Sequence, residues 1–213
     1  VLGMALALGN GEPRSLLIAL LVAIWAMRLG SFLFRRVSED GHDRRFNQIK
    51  NSFSTFFMTW TLQGLWVSFT LACGLAAMTA LETRPMGAMA IVGMLLWLAG
   101  FTIEVVADQQ KSAFRASEEN RGRFITHGLW AWSRHPNYFG EILLWIGIAL
   151  IALPVLTGWQ YVTLVSPLFV YVLLTQISGV GMLERRADRA WGEDPDYQAY
   201  KETTPVLFPR PPG

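Results

Sequence analysis

Apolar residues along this chain come in long runs, separated by shorter stretches where Arg, Lys, Asp and Glu concentrate. Crossing the hydrocarbon core takes about 20 helical residues. Runs of that order cover Ser15 to Phe34, Phe53 to Ala80 and Met86 to Ala107, followed by Asn137 to Leu153 and Trp159 to Gly179. The opening run, Val1 to Gly9, is less than half as long as a span and reads as the tail of a first helix. The pattern predicts an all-α fold: a polytopic membrane helical bundle of about six to seven transmembrane helices, the first one truncated, in a single domain over 1-213. Polar segments cover Arg35 to Ser52, Asp108 to Pro136 and Met182 to Gly213. Within the last, Asp194-Pro195 reads as an N-cap with Pro at the first helical position, opening a short helix that stops before Pro205.

Composition agrees: 52% of residues are hydrophobic and mean hydropathy is +0.32, above what a soluble domain of this length needs. A net charge of +2 gives no support to a nucleic-acid partner. The lone Cys73 excludes an internal disulfide. His42, His127 and His135 lie apart without neighbouring cysteines, which argues against a metal site. No charged n-region or small-residue cleavage site marks a signal peptide. The distribution of cations is more telling than their sum. Fifteen Lys and Arg lie in the three polar segments and only Arg14 and Arg84 on the alternate side. That asymmetry predicts an integral membrane protein, of the inner membrane if bacterial, with the long loops and the C-terminus cytoplasmic.

Ionisable groups inside membrane helices are costly and usually face a cavity or a partner. Here they are Arg28, Glu104 and Glu141, with Gln63 as a neutral companion, all in the half of the membrane nearer the polar segments. Arg28 is long enough to snorkel; the two glutamates are short, which points to a polar pocket opening to the cytoplasm. Glu104, Asp108, Lys111 and Arg115 follow one another by four, three and four residues, so a helix continuing past the membrane carries them on one face. A salt-bridge ladder accounts for the outer three. A ligand that offers hydroxyls or an amide to the acids and phosphate to the cations accounts for all four.

The run Ser133-Arg134-His135-Pro136-Asn137-Tyr138-Phe139-Gly140-Glu141 stands at the mouth of an apolar helix. His135 before a proline is biased to extended backbone, and Pro136 suits the first helical position. Asn137 and Glu141 then share a face one turn apart. The helix start is a seat for anions, with Arg134, Arg121 and Arg123 upstream and Lys111 and Arg115 on the preceding helix. A basic juxtamembrane patch facing anionic lipid explains the cations alone. Gly179-Val180-Gly181 lacks the third glycine and the strand of a dinucleotide fingerprint. Tyr197 and Tyr200 sit where the tail can cap the pocket.

Together with Gly128-Leu129-Trp130, this run resembles the C-terminal signature of the steroid 5-alpha-reductase family, most closely a bacterial branch long labelled as a domain of unknown function. Trp25 and Arg28, the basic loop Glu39 to Phe46, Gln63-Gly64, Glu104 to Arg115 and Glu184 extend the resemblance over nearly the whole chain. The wider superfamily holds sterol reductases and, more distantly, isoprenylcysteine carboxyl methyltransferases. The resemblance implies a bundle of about seven spans with NADPH in a cytoplasm-facing pocket of the C-terminal half, 108-213, and the substrate side on the helices up to residue 107. It implies cofactor binding by Glu104, Asp108, Lys111, Arg115, Arg123, Arg134, His135, Asn137, Tyr138, Glu141 and Glu184, and substrate contacts from Trp25, Arg28 and Gln63. It further implies hydride transfer to the C=C of an enone in a steroid-like or other apolar lipid entering from the bilayer. Tyr138 and Glu104 are the candidate catalytic donors. In the animal enzymes a Gln-Glu pair on the first helix and a Tyr on the second bind the substrate carbonyl; here Trp25 stands near the Tyr position, and that part of the first helix is not in the sequence. Two other readings stay open. An S-adenosylmethionine-dependent membrane methyltransferase shares the Arg-His-Pro-x-Tyr-x-Gly element but needs no phosphate site; a non-catalytic lipid-binding scaffold leaves Glu104 and Glu141 without purpose.

Overall fold

The computed structural model describes residues 12–39 and 52–212, and no strand occurs among them. The opening run Val1 to Gly9 and the cations Arg44, Arg45 and Lys50 lie outside the described residues. Among the described residues, five helical stretches are long and apolar enough to cross a membrane: Pro13–Arg35, Phe53–Met78, Ala88–Ala116, Pro136–Val155 and Gly158–Trp191. The chain is therefore an all-α, polytopic membrane protein. We label the helices α1 (Pro13–Glu39), α2 (Phe53–Met78), α3 (Ala88–Ala116), α4 (Pro136–Ala152), α5 (Val165–Val172), α6 (Val180–Trp191) and α7 (Pro195–Thr203). α3 runs nine residues beyond Ala107, where the apolar run ends, because backbone hydrogen bonding does not stop where hydropathy falls. Its last turn is closed by Asn120, whose Nδ2 donates to the Phe114 carbonyl at 2.9 Å. The Asp194 cap is as expected: its carboxylate accepts from the Asp196 N–H at 2.9 Å, with Pro195 at the first helical position.

The described residues form two compact units, one up to Ala90 together with Ala149–Ser166, the other Ile91–Ile148 with Pro167–Gly213. In the first, α1 packs on α2, and α2 on the 3₁₀ segment Gly158–Leu164. Its anchor is Arg14, which charge counting alone treats as an ordinary loop cation. It is 1% exposed and donates to the carbonyls of Ile151 at 2.6 Å, Pro85 at 2.9 Å and Arg84 at 3.1 Å. Three chain ends meet there: the start of α1, the link between α2 and α3, and the end of α4. The alternation of cations puts these same three ends on one side of the membrane. Hydrogen bonds from a charged donor contribute about 1.5–3 kcal/mol each, and a buried carbonyl left without one costs a similar amount. Arg14→Met should therefore lose about 3 kcal/mol of stability, with Arg14→Lys between it and the wild type. Unfolding in detergent micelles measures this; an unchanged midpoint for Arg14→Met would refute the anchor.

In the second unit, α3 and α4 run antiparallel and touch backbone to backbone. A Cβ on Gly100 would fall 2.5 Å from the Gly140 carbonyl oxygen, and one on Gly147 would fall 2.5 Å from that of Gly93. The two contacts are seven residues apart on each helix. Membrane helices gain little from hydrophobic exclusion in lipid, so close approach through small residues supplies the packing.

Candidate functional site

α4 begins where the polar run ends, and the run's residues divide several tasks. Ser133 is fully buried and holds the C-terminal tail, donating to the Leu207 carbonyl at 2.9 Å. The Arg134 N–H donates to the Pro205 carbonyl at 2.9 Å and the Arg210 N–H to that of Trp132 at 3.0 Å, so the tail lies alongside the run. The His135 carbonyl takes the first helical bond of α4, from Phe139 N–H at 3.2 Å. Asn137 donates from Nδ2 to Asp108 Oδ1 at 3.2 Å across the α3–α4 contact. Tyr138 stacks on His135, with centroids 5.6 Å apart and planes 15° apart. Gly140 lets α3 approach: a Cβ there would lie 2.8 Å from Glu104 N.

The polar stripe of α3 is one face of a continuous helix, as its spacing predicts, but its two halves meet different surroundings. Glu104 and Asp108 are buried where α3 meets α4, and Glu141 is half-buried. Lys111 and Arg115 instead line a cavity of about 350 Å³. Further cations on its wall are Arg123, Arg134 and Arg186, and among the described residues the sole acid there is Glu184. Glu184 is engaged by its neighbours: Arg134 Nη1 lies 2.7 Å from Oε2, an ion pair off the line of a hydrogen bond, and His135 Nε2 lies 2.8 Å from Oε1. Arg115, Arg123 and Arg186 are exposed and form the rim, whereas Lys111, Arg134 and His135 lie deeper. Arg121 is not in the wall; it is 83% exposed and pairs with Glu118 at 3.1 Å.

The rest of the cavity is aromatic. Lys111 Nζ sits 4.2 Å from the centre of the Trp130 ring, and the Trp130 indole N–H donates to the Ala107 carbonyl at 3.1 Å. Phe124 packs on Tyr197 at 5.2 Å, Trp191 at 5.7 Å and Tyr200 at 5.8 Å. The Trp191 indole N–H donates to the Gly122 carbonyl at 2.6 Å, fastening the end of α6 to the loop that carries Arg123; Gly122 there has φ +79°. The Tyr200 hydroxyl donates to the Trp130 carbonyl at 2.7 Å, and that of Tyr197 to Asp188 Oδ1 at 3.1 Å. Burial raises both phenols well above the ordinary range, and for Tyr197 the bond to Asp188 adds to it, so both are neutral donors. The two tyrosines are thus a packing face and a cavity wall at once.

The expected cofactor set therefore separates. Lys111, Arg115, Arg123, Arg134, His135 and Glu184 line the cavity, while Glu104, Asp108, Asn137, Tyr138 and Glu141 do not. Trp25, Arg28 and Gln63 belong to the first unit, where Trp25 is half-buried, the Arg28 guanidinium lies 5.3 Å from the Phe32 ring centre and Gln63 is exposed. Sequence reasoning missed Arg186, Phe124 and Trp191; an aromatic residue inside an otherwise polar, basic segment is the signal that could have found the last two. It also missed the π-helical turn Leu173–Ile177 before Gly179. A Cβ on Gly179 would lie 2.8 Å from Tyr138 Cε2, so this turn abuts the signature run. Such turns are frequent at functional sites.

An uncharacterized protein of Schizosaccharomyces pombe is 26% identical over 227 residues, which cover 92% of this chain and 64% of the yeast protein. The chain thus spans under two thirds of that relative's length. No solved structure gives a significant match. No group of acids, histidines and cysteines able to hold a metal ion occurs among the described residues. Residues 1–204, nearly the whole chain, match the family described as Protein of unknown function (DUF1295), to which this chain belongs.

Proposed function

We propose that the chain is a membrane reductase that uses NADPH to reduce the C=C of an enone in an apolar lipid. The observation that carries this is the cavity wall, which among the described residues has five Lys or Arg side chains and a single, already engaged carboxylate, set against tryptophan, tyrosine and phenylalanine rings. A ligand matched to that wall carries several negative charges and flat rings. The resemblance of the run Ser133 to Glu141 to the steroid 5-alpha-reductases supplies the chemistry. When bound, NADPH supplies a hydride.

In this reading Arg115, Arg123 and Arg186 at the rim take phosphates, while the deeper Lys111 is held by the Trp130 face and Arg134 by Glu184. Charge-assisted bonds to guanidinium suit phosphate oxygens. The aromatic rings exclude water and offer faces to the flat groups. Glu104 and Asp108, buried at the α3–α4 contact, and the half-buried Asn137 hold the two helices in register. The cation asymmetry of the sequence supports a cavity that opens to the cytoplasm, where NADPH is found, and in this reading the lipid substrate reaches its site from the bilayer. Tyr138 and Glu104 remain the candidate donors to the substrate carbonyl.

The test is a titration of the purified protein, in detergent, with NADPH and with S-adenosylmethionine, followed by binding heat and thermal shift. NADPH is expected to bind and to raise the unfolding temperature. Binding of the methyl donor alone would overturn the reductase reading in favour of a methyltransferase.

A further inference from the structure

The polar segment that starts at Met182 comes back to the mouth of a membrane span. Pro136–Val155 has 20 residues, which at 1.5 Å per residue reach about 30 Å, the thickness of the hydrocarbon core. That span has no turn to spare, so Phe139, in the first turn of α4, stands at the membrane boundary. The ring of Phe208 packs edge-on against it, with centroids 6.1 Å apart and planes 72° apart. The tail is pinned at this level. Ser133 Oγ and the Arg134 N–H donate to the Leu207 and Pro205 carbonyls, and the Arg210 N–H to that of Trp132.

Leu207 is buried by these bonds, but its neighbours are left outside. Phe208 is 65% exposed, Val206 38%, and Trp132, just ahead of the run, 43%. Tryptophan is enriched where a membrane meets water, and apolar side chains gathered beside it mark a surface that something covers. The backbone suits the same place. Pro209, Pro211 and Pro212 carry no N–H, and that of Arg210 is the one bonded to Trp132. Residues 209–212 therefore bring no unbonded backbone donor to a region where one is costly. The exposed Arg210 donates from Nη2 to the Thr203 carbonyl at 3.3 Å and has further N–H groups to offer lipid phosphate.

We propose that Trp132, Val206 and Phe208 form an interfacial anchor seated at the headgroup and acyl boundary of the bilayer, and that phospholipid covers this patch. The chain then leaves the membrane along α6 and returns to its surface at 206–208, where composition alone reads continuous polar chain. Between these two points α7, with Tyr197 and Tyr200 of the cavity wall, is tethered to the membrane surface. The anchor does not depend on which reaction the cavity serves.

The single cysteine, Cys73, is fully buried, so a nitroxide can be placed on Phe208→Cys or Val206→Cys in the full chain, reconstituted in vesicles of phosphatidylcholine and phosphatidylglycerol. Collisions of the label with oxygen, which concentrates in the bilayer, and with a nickel chelate, which stays in water, report what surrounds it. Leu95→Cys on α3, at a position 58% exposed, is the lipid standard; Arg121→Cys, at one 83% exposed beyond the end of α3, is the aqueous one. The oxygen-to-nickel collision ratio at 206 and 208 should lie severalfold above that of Arg121→Cys and at or below that of Leu95→Cys. A ratio equal to that of Arg121→Cys would leave the tail in water and overturn the anchor. Low collision rates with both reagents would overturn it too, since a second copy or another protein would then cover the patch. Should neither labelled variant fold, native fluorescence decides. The tryptophan emission lost in Trp132→Phe should be quenched by lipids brominated high on the acyl chain, and quenching by aqueous iodide alone refutes the proposal.

Discussion

Gly140→Leu is expected to abolish folded protein, and Gly140→Ala to lower its stability at or above the top of the usual range of about 1–3 kcal/mol for overpacking. The reason is what the new atoms would meet. A Cβ at Gly140 falls 2.6 Å from the Gly100 carbonyl oxygen and 2.8 Å from Glu104 N, both backbone atoms that cannot rotate aside. α3 must therefore retreat, and with it the Asp108–Asn137 bond and Lys111 on the Trp130 ring. The helix itself prefers alanine to glycine by about 1 kcal/mol, so any loss understates the clash. Gly64→Ala in α2 is the control: nothing lies within 4 Å of its added Cβ, and no loss is expected. Unfolding of the two alanine variants side by side in the same detergent decides the matter. If Gly140→Ala melts with Gly64→Ala, the close α3–α4 contact is wrong.

Much of this arrangement is legible in the sequence wherever local rules set it. Run length marks the spans, and Asp194-Pro195 marks the start of α7, because hydropathy and capping act over a few residues. The stripe from Glu104 to Arg115 is legible as one helical face, since a helix fixes which side chains align. Its division between helix contact and cavity wall is not, because that depends on where α4 crosses. The same holds for Ser133, whose partner Leu207 is 74 residues away, and for Arg14, whose partner Ile151 is 137 away. No periodicity carries such pairings. Arg121 and Arg123 show the limit most plainly: two residues apart and chemically alike, they part because the positive φ of Gly122 between them turns one to Glu118 in solvent and the other to the cavity.

That separation sets up the sharpest test of the cavity as a nucleotide site. Arg115→Ala and Arg123→Ala should each weaken NADPH binding roughly ten- to hundredfold, since a charge-assisted bond to phosphate contributes about 1.5–3 kcal/mol. The arginine that holds the 2′-phosphate should also erase most of the preference for NADPH over NADH, whereas one that holds the diphosphate should weaken both alike. Arg121→Ala, exposed and outside the wall, should stay within about twofold of wild type. Because the rim arginines are open to solvent, raising the salt concentration should weaken the wild type more than the double variant Arg115→Ala, Arg123→Ala. Titration calorimetry with both dinucleotides at two ionic strengths measures all four quantities. Equal losses for Arg121 and Arg123 would mean a diffuse basic surface of the kind that faces anionic lipid, whereas a loss confined to the two cavity arginines places the phosphates at the rim.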